Sequence, residues 1–243
     1  MTVPLSWGVA TSPGGRDHNE DAVLADRDVF VVADGMGGHD AGEVASATAV
    51  AELRTLVGAA PGPERVRDAL VRAHARVRAL PGEEHRRPGT TVSGVAVTVW
   101  EDQRCWVVLN VGDSRTYRMA GGVLEQVTRD HSEVAELVAE GLLPPDEAAY
   151  HPWRHVVTRV LGGGAASVEP DVFLLPVSPG DRMLVCSDGL TDTLPDARIQ
   201  AELRAAVTPQ AGADRLLAAA LAAGASDNVT VVVVDAAPLR APR

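Results

Sequence analysis

The sequence predicts an α+β fold, a layered sandwich of antiparallel strands with helices packed outside, and three observations carry that prediction. Two apolar runs, "TTVSGVAVTVW" and "RCWVVLNVG", are separated by a short polar turn and read as a β-hairpin. Both alternating faces of the first run are largely apolar, with Val95, Val97 and Val99 on one and Val92, Ala96 and Trp100 on the other, so the sheet should be covered on both sides. Helical patterns cluster at the two ends of the strand set instead of alternating with it, which favours layers over a parallel α/β arrangement.

The elements follow in order. Residues 39 to 57 read as a helix, with Asp40 placed to cap its start and Val44, Ala47, Val50 and Ala51 recurring near helical spacing. Residues 63 to 80 set Val66, Ala69, Leu70, Ala73, Val77 and Leu80 on one face and Arg65, Asp68, Arg72 and Arg76 opposite, an amphipathic helix. After the hairpin, short strands are expected at 115 to 119 and 123 to 127, with Gly121-Gly122 turning between them. Residues 130 to 160 change character: two short helical segments, a Pro144-Pro145 break and three histidines read as a surface lobe between strands. Strands resume at 171 to 177 and 181 to 187, a pair of helices spans 190 to 223, and "NVTVVVVD" supplies a final strand. No internal repeat and no Pro-, Gly- or Ser-rich linker divides the chain, so residues 1 to 243 are expected to form one domain.

Composition removes several functions. The 243 residues carry a formal net charge of −11 and contain no lysine, so an acidic surface without a basic patch argues against nucleic acid binding. A Walker A loop is excluded for want of its lysine. No apolar run approaches the roughly 18 residues of a membrane helix, and the opening residues lack a signal-peptide pattern, so a cytoplasmic protein is expected, with no membrane association or anchor. Cys105 and Cys186 sit in apolar runs and read as small buried thiols, not as a disulfide or thiolate metal site.

The acids are placed more tellingly. Asp34 follows "VFVVA", Asp113 follows "WVVLNVG", Asp188 follows "RMLVCS", and Asp227 precedes "NVTVVVV". An Asp-Gly pair such as Asp34-Gly35 is by itself an ordinary turn. If the last strand runs antiparallel to the others, however, all four carboxylates reach one rim, where their repulsion calls for a neutralising cation. Carboxylates and backbone carbonyls suit a hard ion such as Mg²⁺ or Mn²⁺, and no His/Cys set with zinc-like spacing accompanies them. Near the N-terminus, "RDHNEDA" adds Glu20 and Asp21 beside Arg16, whose planar fork matches a phosphate.

In order along the chain, "RDHNEDA", "VVADGMGGH", "GTT", "NVGDSRTY", "VTRDHS", "TRVLG", "LVCSDGL" and "SDNVTVVVV" closely resemble the motifs of the bacterial PPM family, the metal-dependent or protein phosphatase 2C-like serine/threonine phosphatases. The resemblance covers residues 6 to 235. It implies a four-layer α-β-β-α sandwich, two antiparallel sheets face to face with helices on both outer sides. It also implies two central Mn²⁺ or Mg²⁺ ions. Asp34 would bridge them, the Gly35 carbonyl would help to ligate one, and Asp188 and Asp227 would complete the other. Glu20 would hold its ion through water, Asp21 would orient the set from behind, and Asp113 with Asp188 would serve a weaker third ion. Arg16 would bind the substrate phosphate. The lobe at 130 to 158 would be the family's flap, near the site and able to influence substrate choice.

The chemistry implied is direct attack on a phosphomonoester by a water that the two ions bridge and acidify, with no phosphoenzyme. His39 is a candidate acid for the leaving alkoxide, equally suited to a structural role beside the helix start, because "MGG" separates it from Asp34-Gly35 where eukaryotic members have the histidine directly after. A cysteine-dependent phosphatase is ruled out, since Val111 and Asp192 stand where its arginine would follow each cysteine. "DRDVF" fits an aspartyl-phosphate mechanism poorly, its acids preceding a strand. The alternatives are a pseudophosphatase that binds phosphoproteins without turnover, which should have lost ligands that are all present here, and a phosphatase of small phosphometabolites. Expected partners are phosphorylated proteins, among them serine/threonine kinases and their substrates, and a monomer is expected.

Overall fold

The structure is a computed structural model that describes residues 4–37, 41–82 and 87–237. Two antiparallel sheets lie face to face. The first contains β1 (Leu5–Ser12), β12 (Val229–Ala236), β11 (Arg182–Cys186), β7 (Arg115–Ala120) and β8 (Val123–Gln126), in that spatial order. The second runs β10 (Asp171–Pro176), β6 (Gln103–Val111), β5 (Val92–Trp100), β3 (Val29–Met36), β4 (Gly89–Thr90) and β9 (Leu161–Gly162), with β2 (Asp21–Asp26) also paired to β3. Helices α1 (Ala41–Leu53) and α2 (Pro63–Arg78) cover the second sheet; α4 (Asp188–Thr191), α5 (Asp196–Ala205) and α6 (Pro209–Ala222) cover the first. The chain is therefore the expected four-layer α+β sandwich.

Strand periodicity explains the layers. Along β3, Val29, Val31 and Ala33 pack toward α1 and α2, while Phe30 and Val32 enter the space between the sheets. The same alternation gives Met183 and Val185 of β11, and Val232 and Val234 of β12, to the inter-sheet core, with Leu184, Cys186, Val231 and Val233 turned toward the outer helices. Both cysteines are free and buried. The β5–β6 hairpin closes through Glu101 and Asp102, both with positive φ, a type I′ connection whose twist matches the strands.

Four expectations need correction. Asp34 and Gly35 do not form a turn: they lie inside β3, where its partner changes from β5 to β4, with Val32 opposite Ser93 and Gly35 opposite Thr90. In α1 the packed face is Gly42, Ala45, Ser46, Ala49, Val50 and Leu53, and Val44, Ala47 and Ala51 face solvent. An alanine-rich helix offers almost no contrast between its faces, so periodicity could not orient it. The pair of helices at 190 to 223 is three, because Pro195 and Pro209 each restart the helix. Strands β1 and β2 were not anticipated, their residues being only partly buried at an edge and beside the acidic run. Asp40, expected to cap α1, lies outside the described residues, as does His39.

The lobe expected at 130 to 158 contains α3 (Glu133–Ala139), capped by the Ser132 hydroxyl, which accepts from the Ala135 amide at 3.4 Å. Its two ends meet: Ser132 bridges Val157, and the Glu133 amide donates to the Val156 carbonyl at 2.9 Å.

Candidate active site

Because Asp34 continues the Phe30 and Val32 face, its carboxylate emerges between the two sheets at their rim. It meets Asp188, the first residue of α4, closely enough for the two carboxyl groups to share a hydrogen bond. Glu20, Asp227 and Arg16 join them around a cleft of about 500 Å³ that Gly35 and Asn228 also line. Asp113 does not face this cleft. It lines a neighbouring one of about 580 Å³ under the lobe, and Asp188 is common to both. Asp21 sits behind the first cleft, opposite Asp34 in the β2–β3 register, where its Oδ2 accepts from the Ser187 hydroxyl at 2.8 Å.

The local packing explains why glycine stands at position 35. A Cβ there would lie 2.2 Å from the Gly42 carbonyl oxygen and 2.6 Å from that of Glu20. One at Gly42 would meet the Glu20 carboxyl carbon at 2.8 Å. Helix α1, β3 and the acidic run thus converge at backbone distance, and only glycine admits that approach. The Asp34 carbonyl accepts from the Thr91 amide at 2.9 Å and the Thr90 hydroxyl at 2.8 Å, while its amide donates to the Thr91 hydroxyl at 3.2 Å.

Several residues of this neighbourhood escaped the sequence reading. Asn228 ties the acidic run to the last strand: its side-chain oxygen accepts from the Glu20 amide at 2.8 Å, and its nitrogen donates to the carbonyls of Pro13 and His18 at 3.0 and 2.8 Å. Its place beside Asp227 was the available signal. Ser187 receives the Thr230 amide at 2.9 Å while donating to Asp21. From the lobe, His155 Nδ1 reaches Asp192 Oδ2 at 3.2 Å, and His155, Asp188 and Asp192 present ligand atoms within 4.8 Å of one another. The i, i+4 spacing of Asp188 and Asp192 was legible; the approach of His155 was not.

Electrostatics marks the carboxylates as a strained set. Burial, then the charges of Asp21 and Asp188, push Asp34 well above the ordinary carboxylate range. Asp188 is raised to about 6 by burial and then by Asp192, and Asp21 to about 6 chiefly by burial. Asp113 reaches about 7 through burial and the charge of Asp188. Asp21 Oδ1 is buried with no hydrogen-bond partner among the described residues. Arg16 offers the cleft its cation, but it is 61% exposed and engaged with Asp227 at 2.7 Å. A cluster this short of positive charge, made only of oxygen donors, fits hard divalent cations.

A carboxylate-rich cleft at the rim of an α-β-β-α sandwich, with an arginine beside it, is the design of the metal-dependent phosphatase class. The chain belongs to the protein phosphatase 2C (PPM) family, whose model matches residues 15–223. It is 40% identical over 243 residues to the serine/threonine protein phosphatase PstP of Mycobacterium tuberculosis, covering 97% of this chain and 46% of that protein. The chain thus spans about half the length of that relative. It is 35% identical to the serine/threonine phosphatase stp of Listeria monocytogenes, over 90% of this chain and 91% of that one. Among solved structures it resembles the catalytic domain of PstP in complex with two manganese ions, with a TM-score of 0.81 and 36% identity over 96% of this chain and 98% of that one. No described helix is long and apolar enough to cross a membrane.

Proposed function

We propose that this chain is a single catalytic domain that hydrolyses phosphoserine and phosphothreonine in proteins, using Mn²⁺ or Mg²⁺. The observation that carries the reading is the cleft holding Glu20, Asp34, Asp188 and Asp227 together with Arg16. Asp34 would be shared between two cations, with Asp188 and Asp227 on one side and Glu20 and the Gly35 carbonyl on the other. Asp113 and Asp188 would serve a third. When bound, such cations supply Lewis acidity toward the phosphoryl oxygens and make water acidic enough to attack near neutral pH.

The chain's own residues do the rest. Arg16 binds and orients the phosphate, and with Asp227 holding a cation its guanidinium would be free to do so. Asp21 and Ser187 hold the back of the Asp34–Asp188 pair, and Asn228 fixes the backbone at Glu20, so the donors are aimed before substrate arrives. The lobe at 130 to 158 overhangs the second cleft with Arg154 and His155 and bears on substrate choice. His39 as proton donor to the leaving alkoxide belongs to the same proposal. Phosphorylated proteins, including kinases and kinase substrates, are the proposed partners of a monomer in the cytoplasm.

The test is turnover of phosphothreonine and phosphoserine peptides with Mn²⁺, with Mg²⁺ and with chelator, in the wild type, Asp34→Asn and Asp188→Asn. Metal-dependent turnover that falls about 100- to 1,000-fold in both variants is expected, since each removes a carboxylate that would hold the cations neutralising the phosphoryl charge. Turnover that persists in chelator, or in both variants, overturns the two-cation reading; none with either metal favours a phosphoprotein-binding role.

A further inference from the structure

Asp113 follows β6 at a turn whose geometry is demanding. Gly112 has a φ of +105°, and a Cβ there would lie 2.6 Å from the Thr91 side chain. The Asp113 carboxylate accepts from its own amide, so its direction follows that of the turn. Two neighbours hold the turn. The Ser114 and Thr91 hydroxyls are 2.7 Å apart, tying the turn to the Asp34 backbone through Thr91. On the other flank stands His131, which is 5% exposed and grips Gly112 from both sides: the Gly112 amide donates to His131 Nδ1 at 3.2 Å, and the His131 amide donates to the Gly112 carbonyl at 2.9 Å.

The tautomer follows from these partners. With Nδ1 accepting, the neutral ring carries its proton on Nε2, which faces Asp171 Oδ2 at 3.2 Å. Arg159 lies 3.4 Å from the same nitrogen and 3.5 Å from Asp171 Oδ1, so its charge serves the carboxylate and not the ring. Asp171 opens the edge strand β10, opposite Asn110 of β6, and the Asn110 side-chain Nδ2 donates to the Gly112 carbonyl at 3.1 Å. Burial lowers the His131 pKa, which keeps the ring neutral and Nδ1 able to accept.

We propose that His131 is the positioning residue of the Gly112–Asp113 turn: locked by Asp171 at Nε2, it holds the Gly112 amide through Nδ1 and so aims the Asp113 carboxylate toward Asp188. This rests on the proposed function, in which Asp113 and Asp188 hold the third cation. Outer partners of ligands commonly govern affinity by 10- to 100-fold. His131 touches neither substrate nor cation; it acts through the turn.

The experiment compares His131→Phe, which keeps ring volume without the acceptor, with His131→Asn, whose side-chain oxygen can stand where Nδ1 does. Mn²⁺ titration by calorimetry identifies the Asp113-dependent phase as the one lost in Asp113→Asn. His131→Phe should weaken that phase by about 10-fold and leave the tighter phases within about twofold, with His131→Asn within about threefold of wild type. In metal-free protein, Gly112 amide exchange should accelerate in His131→Phe and stay protected in His131→Asn. Equal weakening in both variants, or wild-type binding and exchange in His131→Phe, overturns the inference. A wild type that binds no Mn²⁺ overturns the proposed function instead, and the exchange measurement separates the two failures.

Discussion

Asp34 of β3 and Asp188 of α4 come from opposite sheets of the sandwich and meet carboxyl to carboxyl at its rim. Two half-buried acids this close cannot both be ionised cheaply; a proton or a cation must stand between them. The fold therefore holds its donors in an arrangement that costs stability, and that cost should be measurable without any substrate.

In chelator, the metal-free protein should become less stable as pH rises from about 4 to about 7. Asp21, Asp113 and Asp188 have folded pKa values of about 6, 7 and 6, above the roughly 3.9 of an unfolded aspartate. The folded state thus holds more protons than the unfolded state through this window, and that advantage is lost as the groups ionise. Thermal melts at pH 5 and pH 8 check the slope. Asp188→Asn should flatten it and raise the metal-free Tm at pH 8, the opposite of its effect on turnover.

Arg16→Ala should lower kcat/KM on phosphopeptides by about 10- to 100-fold, the equivalent of a charge-assisted hydrogen bond of about 1.5–3 kcal/mol. Arg16→Lys should recover little, because a point charge does not reproduce the planar fork. Steady-state kinetics at saturating Mn²⁺ is the measurement.

Gly35→Ala should damage the protein out of proportion to one methyl group. The new carbon would fall 2.2 Å from the Gly42 carbonyl, a backbone atom that cannot rotate away. Overpacking of this kind costs about 1–3 kcal/mol or more. Urea denaturation should show that loss, and α1 should shift from Glu20 enough to impair activity at temperatures where the variant stays folded.

Asp181→Ala should destabilise without touching the chemistry. Asp181 is 1% exposed and accepts from Arg118 at 2.7 and 2.9 Å and from the Ser178 amide at 2.8 Å. Removing it strands a largely buried guanidinium, a loss of about 3–5 kcal/mol. Urea denaturation should show the deficit while kcat of the folded fraction stays near wild type.

The layers were legible because strands such as β5 and β6 are apolar on both faces and α2 is amphipathic; these patterns report burial directly. The acids Asp34, Asp188 and Asp227 could be assigned to one rim because each directly follows or precedes an apolar run in the sequence. Asp113, set apart by the resemblance as a partner of Asp188, lines the adjoining cleft that Asp188 shares, and its turn is braced by His131. Asp34-Gly35 looked like a turn because composition cannot tell a bend from a strand that exchanges partners. Asn228 and His155 act through contacts with residues far away in sequence, which no local pattern announces.

The meeting of Ser132 and Val157 at the base of the lobe has a consequence for descent. A segment whose ends are already tied together can lengthen with little penalty, since doubling a flexible loop costs only about 0.6 kcal/mol in closure entropy. The sheets beneath would not register the change. The lobe can thus be exchanged for another, as a tool takes a new bit, while the acidic rim beneath keeps its arrangement.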